Sequence, residues 1–183
     1  MASPASVVKR GTLDEFLAAC RDRPDLDPSK YFVDAFINLD PGSRVDIANW
    51  MLDHGADASM TSGNERVNAL HVLFSKREHD FEAEALLLRR LFEGGADING
   101  YSPKWGRPLH VLIDNYEVGD EELGPFYDVI FAQPGIDWDA PVSLKSADEK
   151  RTLRELVEAS ADTHPEMLRR MREYLATGPA SLP

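Results

Sequence analysis

The sequence predicts an all-α solenoid, a fold in which pairs of helices repeat along the chain and short finger loops join them. The first observation is a glycine two residues before an aspartate at three places, 40 residues apart: Gly55 and Asp57, Gly95 and Asp97, Gly135 and Asp137. The second is a Leu-His pair, Leu70-His71, that returns 39 residues later as Leu109-His110. The third is an apolar stripe of helical period before each glycine.

The N-terminal part predicts a tail and then a capping helix. The first residues, MASPASVVKR, lack the long apolar stretch of a secretory signal, and we expect residues 1–11 to be a flexible tail. A helix follows, because Thr12 and Glu15 have the spacing of a capping box. Its apolar face consists of Leu13, Phe16, Leu17 and Cys20. A cysteine on such a face is most often a buried structural thiol, so we predict no nucleophile there.

Three units with the same internal order follow the capping helix. Each begins with a short apolar run, at 31–37, 70–74 and 109–113, and continues with a longer helical stretch, at 45–52, 81–92 and 126–131. Each longer stretch stops at a glycine, which takes the positive φ of a helix C-terminus without a Cβ penalty. We therefore predict longer helices that end near Gly55, Gly95 and Pro134.

A fourth helix pair is predicted near the C-terminus. Its apolar positions are Leu153, Leu156 and Val157, then Met167, Leu168, Met171 and Leu175. Thr163 and Glu166 again have the spacing of a capping box. We predict one domain over residues 12–176, with repeats at about 30–58, 68–98, 107–138 and 151–176, and a flexible tail over 177–183.

The best-preserved stretch resembles the ankyrin repeat, whose consensus runs G-A-D-V-N-A, a variable turn, and then G-x-T-P-L-H. Gly95-Ala96-Asp97-Ile98-Asn99 and Pro108-Leu109-His110 match that pattern. The resemblance covers about residues 12–175 and is strongest in the two middle units. Asn68 and Arg107 replace the usual threonine, and Trp105 replaces a usual glycine. The family's unit has about 33 residues, and longer connections within the units of this chain account for its 40-residue spacing.

The resemblance implies roles for the recurring Leu-His pairs. The leucine is buried between neighbouring repeats, and the imidazole ties adjacent turns by hydrogen bonding. We therefore expect His71 and His110 to be buried and bonded to backbone. An imidazole in an open cleft beside a carboxylate would instead favour an enzyme.

The composition disfavours several classes of partner. Of the 183 residues, 20 are Lys or Arg and 32 are Asp or Glu, which gives a net charge of −12. That balance disfavours nucleic acids and anionic membranes, because both call for basic patches. It serves solubility, the commoner reason, or it suits a basic protein partner. The single cysteine favours the reducing cytoplasm, and no apolar run approaches the length of a membrane span.

Motifs for catalysis are missing from the sequence, which has no H-E-x-x-H, paired C-x-x-C, phosphate-binding glycine loop or G-x-S-x-G. The segment KREHDFEAE gathers four residues that could hold a labile metal ion: His79, Asp80, Glu82 and Glu84. A solvated connection between helices is the commoner explanation for such a segment. We predict a protein without catalysis, cofactor or metal.

The resemblance implies a binding face made of the finger tips and the outward side of the short helices. In this chain the face consists of Tyr101, Lys104, Trp105 and Arg107 in a finger, Asp114 and Asn115 on a short helix, and Trp138 near the next finger. Exposed Trp, Tyr and Arg often anchor interfaces. Trp105 and Trp138 either serve in that way or pack beneath the fingers.

A second candidate surface is the acidic connection over residues 114–128, which holds six carboxylates and no basic residue. It is either a solvated loop, the commoner case, or an arm that steers a basic partner. In the second case Asp120, Glu121 and Glu122 are expected to speed association.

These expectations predict a monomeric, non-catalytic module that binds another protein through the concave face of fingers and short helices. Small size and acidity favour an inhibitor or immunity-type protein that masks a basic partner. The alternatives are an effector that targets a host protein, or an enzyme whose site the sequence does not reveal.

Overall fold

The computed structural model describes residues 3–21, 23, 25–143 and 151–179, and the protein is predominantly helical. Its helices are α1 (Pro4–Val7), α2 (Leu13–Cys20), α3 (Ser29–Ala35), α4 (Pro41–Asp53), α5 (Ala69–Phe74), α6 (Phe81–Glu93), α7 (Pro108–Ile113), α8 (Gly124–Ile130), α9 (Leu153–Ala159) and α10 (Pro165–Thr177). Two short strands, β1 (Thr61–Ser62) and β2 (Val67–Asn68), pair antiparallel. The described residues contain no helix long and apolar enough to cross a membrane.

The helices lie in two rows. In one row α3 contacts α5, α5 contacts α7, and α7 contacts α9. In the other row α2 contacts α4, α4 contacts α6, and α6 contacts α8. The core lies between the rows, and both rows supply fully buried side chains, such as Phe32, Leu70 and Leu109 from the first and Ile47, Leu88 and Phe126 from the second.

Glycine turns end α4 and α6, as the sequence predicts, whereas α8 ends at Ile130, before the expected Pro134. Gly55, Gly95 and Gly135 have φ angles of +86°, +90° and +76°. After α4, Gly55 N donates to Leu52 O at 3.1 Å and Ala56 N donates to Met51 O at 2.9 Å. These two bonds satisfy carbonyls that a helix end leaves unpaired, and they need a left-handed residue between them.

Three finger-like turns lie between successive units. The first is the β1–β2 hairpin, in which Thr61 pairs with Asn68. The second is closed by a bridge between Ser102 and Gly106, and the third by a bridge between Pro141 and Thr152. Residues 144–150 of the third turn lie outside the described residues.

The helix caps agree with the sequence at one end of the chain and differ at the other. The capping box of Thr12 and Glu15 on α2 is confirmed. The box expected from Thr163 and Glu166 is wrong, because α10 starts with Pro165 and has His164 as its N-cap. Thr163 therefore lies outside the helix, and its hydroxyl donates to Ser160 O at 3.1 Å.

The N-terminal tail predicted over residues 1–11 is wrong where the structure describes it. Residues 4–7 form α1, and Val8 is fully buried in the core. Asn38 fixes this segment, because its Nδ2 donates to Val8 O at 3.3 Å and to Gly11 O at 2.9 Å. In the other predicted tail, Thr177 ends α10, and residues 180–183 lie outside the described residues.

Cys20 lies at the end of α2, half-buried against the core. Burial raises the pKa of its thiol, an effect that the nearby Arg23 partly opposes. A raised pKa favours the neutral thiol over the nucleophilic thiolate. The position fits a packing role.

Candidate functional site

The second finger is a tight turn that holds four of the predicted binding residues, Tyr101, Lys104, Trp105 and Arg107. Ser102 and Gly106 exchange two backbone hydrogen bonds, of 2.8 and 2.9 Å. Ser102 Oγ accepts from the backbone N of Lys104 at 3.3 Å and of Trp105 at 3.2 Å. Gly106 has φ +75°, and a Cβ there would lie 2.4 Å from His110 Nδ1, so the turn needs glycine. The result is a fixed turn with Lys104 exposed at its tip.

Arg107 holds two fingers together. Its Nε donates to Pro141 O at 2.9 Å, and its Nη1 donates to Asn99 O. The guanidinium also lies over the Tyr101 ring, 5.9 Å from the ring centroid. Both predicted anchors, Arg107 and Tyr101, are thus half-buried and engaged within the protein.

Trp138 is buried, which decides between its two expected roles in favour of packing and removes it from the candidate binding residues. Its side chain is 3% exposed. The indole stacks on Phe131 with centroids 5.7 Å apart and meets the edge of Tyr174 at 6.0 Å. The reason is that the turn after Gly135 directs the ring between α8 and α10 rather than outward. Trp105, in contrast, is half-buried at the core's edge and borders a groove.

That groove lies between the second finger and the ends of α5 and α7. It has a volume of about 500 Å³ and is lined by Ser75, Arg77, Lys104, Trp105, Val111, Asp114, Asn115, Tyr116 and Glu117. Four predicted residues therefore meet in one place: Lys104, Trp105, Asp114 and Asn115. The side chain of Asn115 is held by the protein, because its Nδ2 donates to Phe74 O at 3.2 Å and Lys76 O at 2.5 Å.

Sequence reasoning missed Tyr116 and Arg77 as groove residues. Tyr116 is 78% exposed. Arg77 forms an exposed ion pair with Glu117 at 3.1 Å. The repeat spacing could have identified them, because Arg77 and Tyr116 are 39 residues apart, as are His71 and His110, and so occupy equivalent positions in successive units.

The acidic connection is mostly bound to the rest of the protein. Asp120 is half-buried, and its carboxylate accepts from Tyr127 Oη at 2.7 Å and from Glu166 N at 2.6 Å. Burial, followed by this hydrogen bond, raises the pKa of Tyr127. Asp120 is therefore a cap for α10, which corrects its prediction as a steering charge. Glu121 and Glu122 are exposed, so they remain candidates.

His71 has the scaffold role expected of it. It is fully buried, and its Nε2 donates to Gly106 O in the next finger at 3.1 Å. Asn68 caps α5, because its Oδ1 accepts from His71 N at 3.1 Å, while Asn68 N donates to His71 Nδ1 at 3.2 Å. Burial lowers the pKa of His71, which favours the neutral ring these bonds require.

His110 departs from the expectation that it would be buried and bonded to backbone. Its ring is partly exposed, and Nε2 lies 3.0 Å from Asp114 Oδ2. At the position of Asn68 this unit has Arg107, whose side chain has no acceptor, and α7 has no side-chain cap. Among the described residues His110 Nδ1 has no hydrogen-bond partner.

His110 also lines a cleft of about 850 Å³ that includes Asp114, Ser143 and Ser160. An imidazole beside a carboxylate in a cleft is the arrangement expected of an enzyme. Here, however, Nδ1 is buried next to Gly106, and Nε2 is engaged by Asp114. The ring thus lacks a free nitrogen for a substrate while that pair is formed.

Three ionisable side chains are enclosed between α4 and α6, and we call them the buried triad: Arg44, Glu84 and His79. Arg44 Nε donates to Glu84 Oε1 at 2.5 Å, and His79 Nδ1 lies 2.6 Å from Glu84 Oε2. All three side chains are at most 1% exposed. Arg44 Nη1 and Nη2 donate to Asn38 O and Glu78 O.

The triad corrects the prediction of a solvated connection at residues 76–84. His79 and Glu84 lie in the interior, while Asp80 caps α6 by accepting from Ala83 N at 3.1 Å. The described residues contain no group of three or more His, Cys, Asp or Glu side chains that could hold a metal ion. Sequence reasoning missed Arg44, the cation that makes the burial of Glu84 tolerable.

No protein-family model matches the chain, and no curated protein matches it. The chain is similar to the crystal structure of a functionally unknown protein from Leptotrichia buccalis C-1013-b, with 22% sequence identity and a TM-score of 0.72. The match covers 95% of this chain and 93% of that chain, and it shows that the two share a fold.

Proposed function

We propose that this chain is a non-catalytic protein-interaction module of the ankyrin-repeat type. The observation that carries the proposal is the groove of about 500 Å³ between a finger and two short helices. It is the place where an ankyrin-type module would bind, and it presents the exposed Tyr116 beside Trp105. Aromatic side chains in such positions are typical interface anchors.

The repeat assignment is supported by contacts that join successive units. His71 bonds to Gly106, 35 residues along the chain, and Asn99 Nδ2 bonds to Gly135 O, 36 residues along. Glycine turns with positive φ separate the units at the spacing of the sequence repeat. Helices that contact their counterparts in the next unit are what a solenoid requires.

The proposed absence of catalysis is supported by the state of His110, which faces a cleft. A general base must reach a substrate proton within hydrogen-bond distance. His110 Nε2 is engaged by Asp114, and Nδ1 is buried. Inhibitor, immunity-type and effector roles all fit a cytoplasmic binding module of this kind, and identification of the partner separates them.

The test is comparative capture from a lysate of the source cells. The wild-type chain is immobilised beside the Tyr116→Ala variant and a matched control, Leu86→Ala, which truncates a side chain that is 64% exposed on α6. We expect a protein that is retained by the wild type and by the control and is weakened about 30-fold or more by Tyr116→Ala. Mass spectrometry identifies it.

Two outcomes contradict the proposal. A protein retained equally by all three chains places the binding surface away from the groove. Failure of the wild type to retain any protein above a blank support argues against an interaction module. Circular dichroism of each variant checks that helix content is unchanged.

A further inference from the structure

Three corresponding turns carry an exposed side chain at the same place in successive units. Leu39, Arg77 and Tyr116 follow α3, α5 and α7, at intervals of 38 and 39 residues. Leu39 is 75% exposed and Tyr116 is 78% exposed. These two side chains belong to the first and third of three successive turns, with the cation Arg77 between them.

Two neighbouring cavities lie along these three positions, and together we call them the inner groove. The first, of about 360 Å³, is lined by Leu39, Ser75, Lys76, Arg77 and Glu78. The second is the cavity beside Tyr116 and Trp105. Ser75 and Arg77 line both cavities, so the two are neighbours, and the inner groove extends from Leu39 to Tyr116.

The inner groove carries no net charge, although the chain as a whole carries −12. Its described lining has three cations, Lys76, Arg77 and Lys104, and three anions, Glu78, Asp114 and Glu117. The acidic excess of the protein therefore lies elsewhere. Complementarity at this surface does not call for a basic ligand.

The backbone beneath the groove is held by side chains from the neighbouring turns. Lys76 Nζ donates to Ile37 O at 2.9 Å, which ties the second turn to the first. Asn115 Nδ2 donates to Lys76 O at 2.5 Å, which ties the third turn to the second. Arg44 of the buried triad donates to Asn38 O at 2.6 Å and to Glu78 O at 2.8 Å. A surface fixed in this way binds without the entropic cost of ordering it.

We propose that the inner groove binds an extended segment of a partner protein that places one large apolar side chain against Leu39 and another against Tyr116. This inference rests on the proposed interaction function and specifies the partner's chemistry. The segment is uncharged overall and lies across the turns after α3, α5 and α7.

The spacing of the two apolar contacts follows from helix packing. Neighbouring helices in a row pack about 8–10 Å apart, so two steps from Leu39 to Tyr116 span roughly 16–20 Å. An extended chain advances about 3.3 Å per residue, which places the two apolar side chains about five or six residues apart.

The middle of the groove explains why the segment is extended rather than helical. An extended segment leaves its backbone N–H and C=O groups unpaired, and each needs a partner when it is buried. Arg77 and Lys104 offer donors there, and Glu117 and Asp114 offer acceptors. A helix pairs its own backbone groups and would make no use of these donors and acceptors.

The test uses synthetic peptides as probes. An array of uncharged peptides carries two leucines or phenylalanines, separated by two to ten residues, in a Ser/Thr/Gly background. We expect the wild-type chain to bind best when the separation is about five or six. Leu39→Ala and Tyr116→Ala should each weaken that binding about tenfold or more, and the control Leu86→Ala should leave it unchanged. Raising the salt concentration should change it little.

Several outcomes overturn the inference. One is binding that increases with the Lys and Arg content of matched basic peptides and is lost at high salt. Another is a best separation of three or four residues between the two apolar side chains. The inference also fails if Leu39→Ala and Tyr116→Ala leave peptide binding unchanged, or if no peptide binds. If lysate capture depends on Tyr116 while the peptides fail, the extended-segment inference falls and the interaction function stands.

Discussion

Two ion networks in this chain are built from the same kinds of residue and differ in their exposure. The buried triad is enclosed between α4 and α6, with side chains at most 1% exposed. The other, which we call the α10 network, consists of Glu166, Arg169, Arg170, Glu173 and Asp128. Its side chains are between about one-fifth and three-fifths exposed. The difference shows that the solvent exposure of an ion pair, more than the distance between its charged atoms, decides how much it contributes to stability.

Burial makes the triad a strict requirement of the fold. Removing charges from water costs several kcal/mol for each ion, and the cost is offset only if every polar atom finds a partner. Arg44 meets that condition, because Nε, Nη1 and Nη2 each donate to an oxygen. The α10 network needs no such completeness, since water can replace any contact that is lost.

The largest predicted effect is that of Glu84→Gln. The substitution keeps the shape of the side chain and leaves the Arg44 charge buried without a counter-ion, so we expect the free energy of unfolding to fall by about 3–5 kcal/mol. Urea denaturation measures it, with Glu173→Gln on α10 as the exposed control. A loss below about 1 kcal/mol would mean that water reaches the triad and that it does not differ from the surface network.

The two Leu-His pairs allow the same comparison of a buried with an exposed side chain within one sequence motif. His71→Ala removes a buried ring that bonds to Gly106 O and should lower the free energy of unfolding by about 1–3 kcal/mol. His110→Ala removes a partly exposed ring whose partner, Asp114, can be hydrated, and should cost less than about 1 kcal/mol. Thermal or urea denaturation gives both values. Equal losses of unfolding free energy in the two variants would show that the Leu-His motif itself, rather than the burial of the ring, determines the loss of stability.

The pH dependence of stability provides a second measurement for His71. Burial lowers its pKa in the folded state below the ordinary value of 6.5. The unfolded chain therefore binds the proton more readily, and the stabilising contribution of His71 is complete above about pH 6.5 and lost as the pH falls. His71→Ala should flatten the fall in unfolding free energy between about pH 7 and pH 5 relative to the wild type. An unchanged slope would contradict the assignment.

A smaller effect is expected from the long-range cap of α10. Asp120→Ala removes the acceptor of Glu166 N and of Tyr127 Oη, and a lost helix cap costs about 1–2 kcal/mol. Glu121→Ala, next to it and exposed, should change the free energy of unfolding by less than about 0.5 kcal/mol. Similar values for the two variants would return Asp120 to the solvated loop of the sequence interpretation.

Local patterns in the sequence predicted the helices and their ends. The spacing of apolar residues predicted α4, α6 and α7. Gly55 and Gly95 marked helix ends because the turn after each helix needs a residue with positive φ. Each of these features depends on residues within a few positions of one another. The capping box at Thr12 is predictable for the same reason.

Features that depend on distant residues could not be predicted in that way. Glu84 is buried because Arg44 lies 40 residues before it, and Asp120 is a cap because Glu166, in the first turn of α10, lies 46 residues after it. Trp138 is buried because Phe131 and Tyr174 enclose it. The candidate site was predicted in part: Lys104 and Trp105 line the groove, but the sequence does not show how exposed Tyr116 is.

The smallest predicted effect is that of Arg169→Ala in the α10 network. Arg169 pairs with Glu166 and Glu173, which lie within one turn of it on the same exposed helix, so its loss should lower the free energy of unfolding only slightly, and by nearly nothing at high salt. The hydrogen bond from Arg169, with help from Arg170, lowers the pKa of Glu166 to about 2. A lowered carboxyl pKa stabilises the fold above the ordinary value of 4.5, and that contribution is lost as the pH falls towards 2. Urea denaturation of wild type and variant at about pH 7 and pH 3 should therefore show their difference shrinking with acid. A loss above about 2 kcal/mol that survives high salt would place this network with the buried triad.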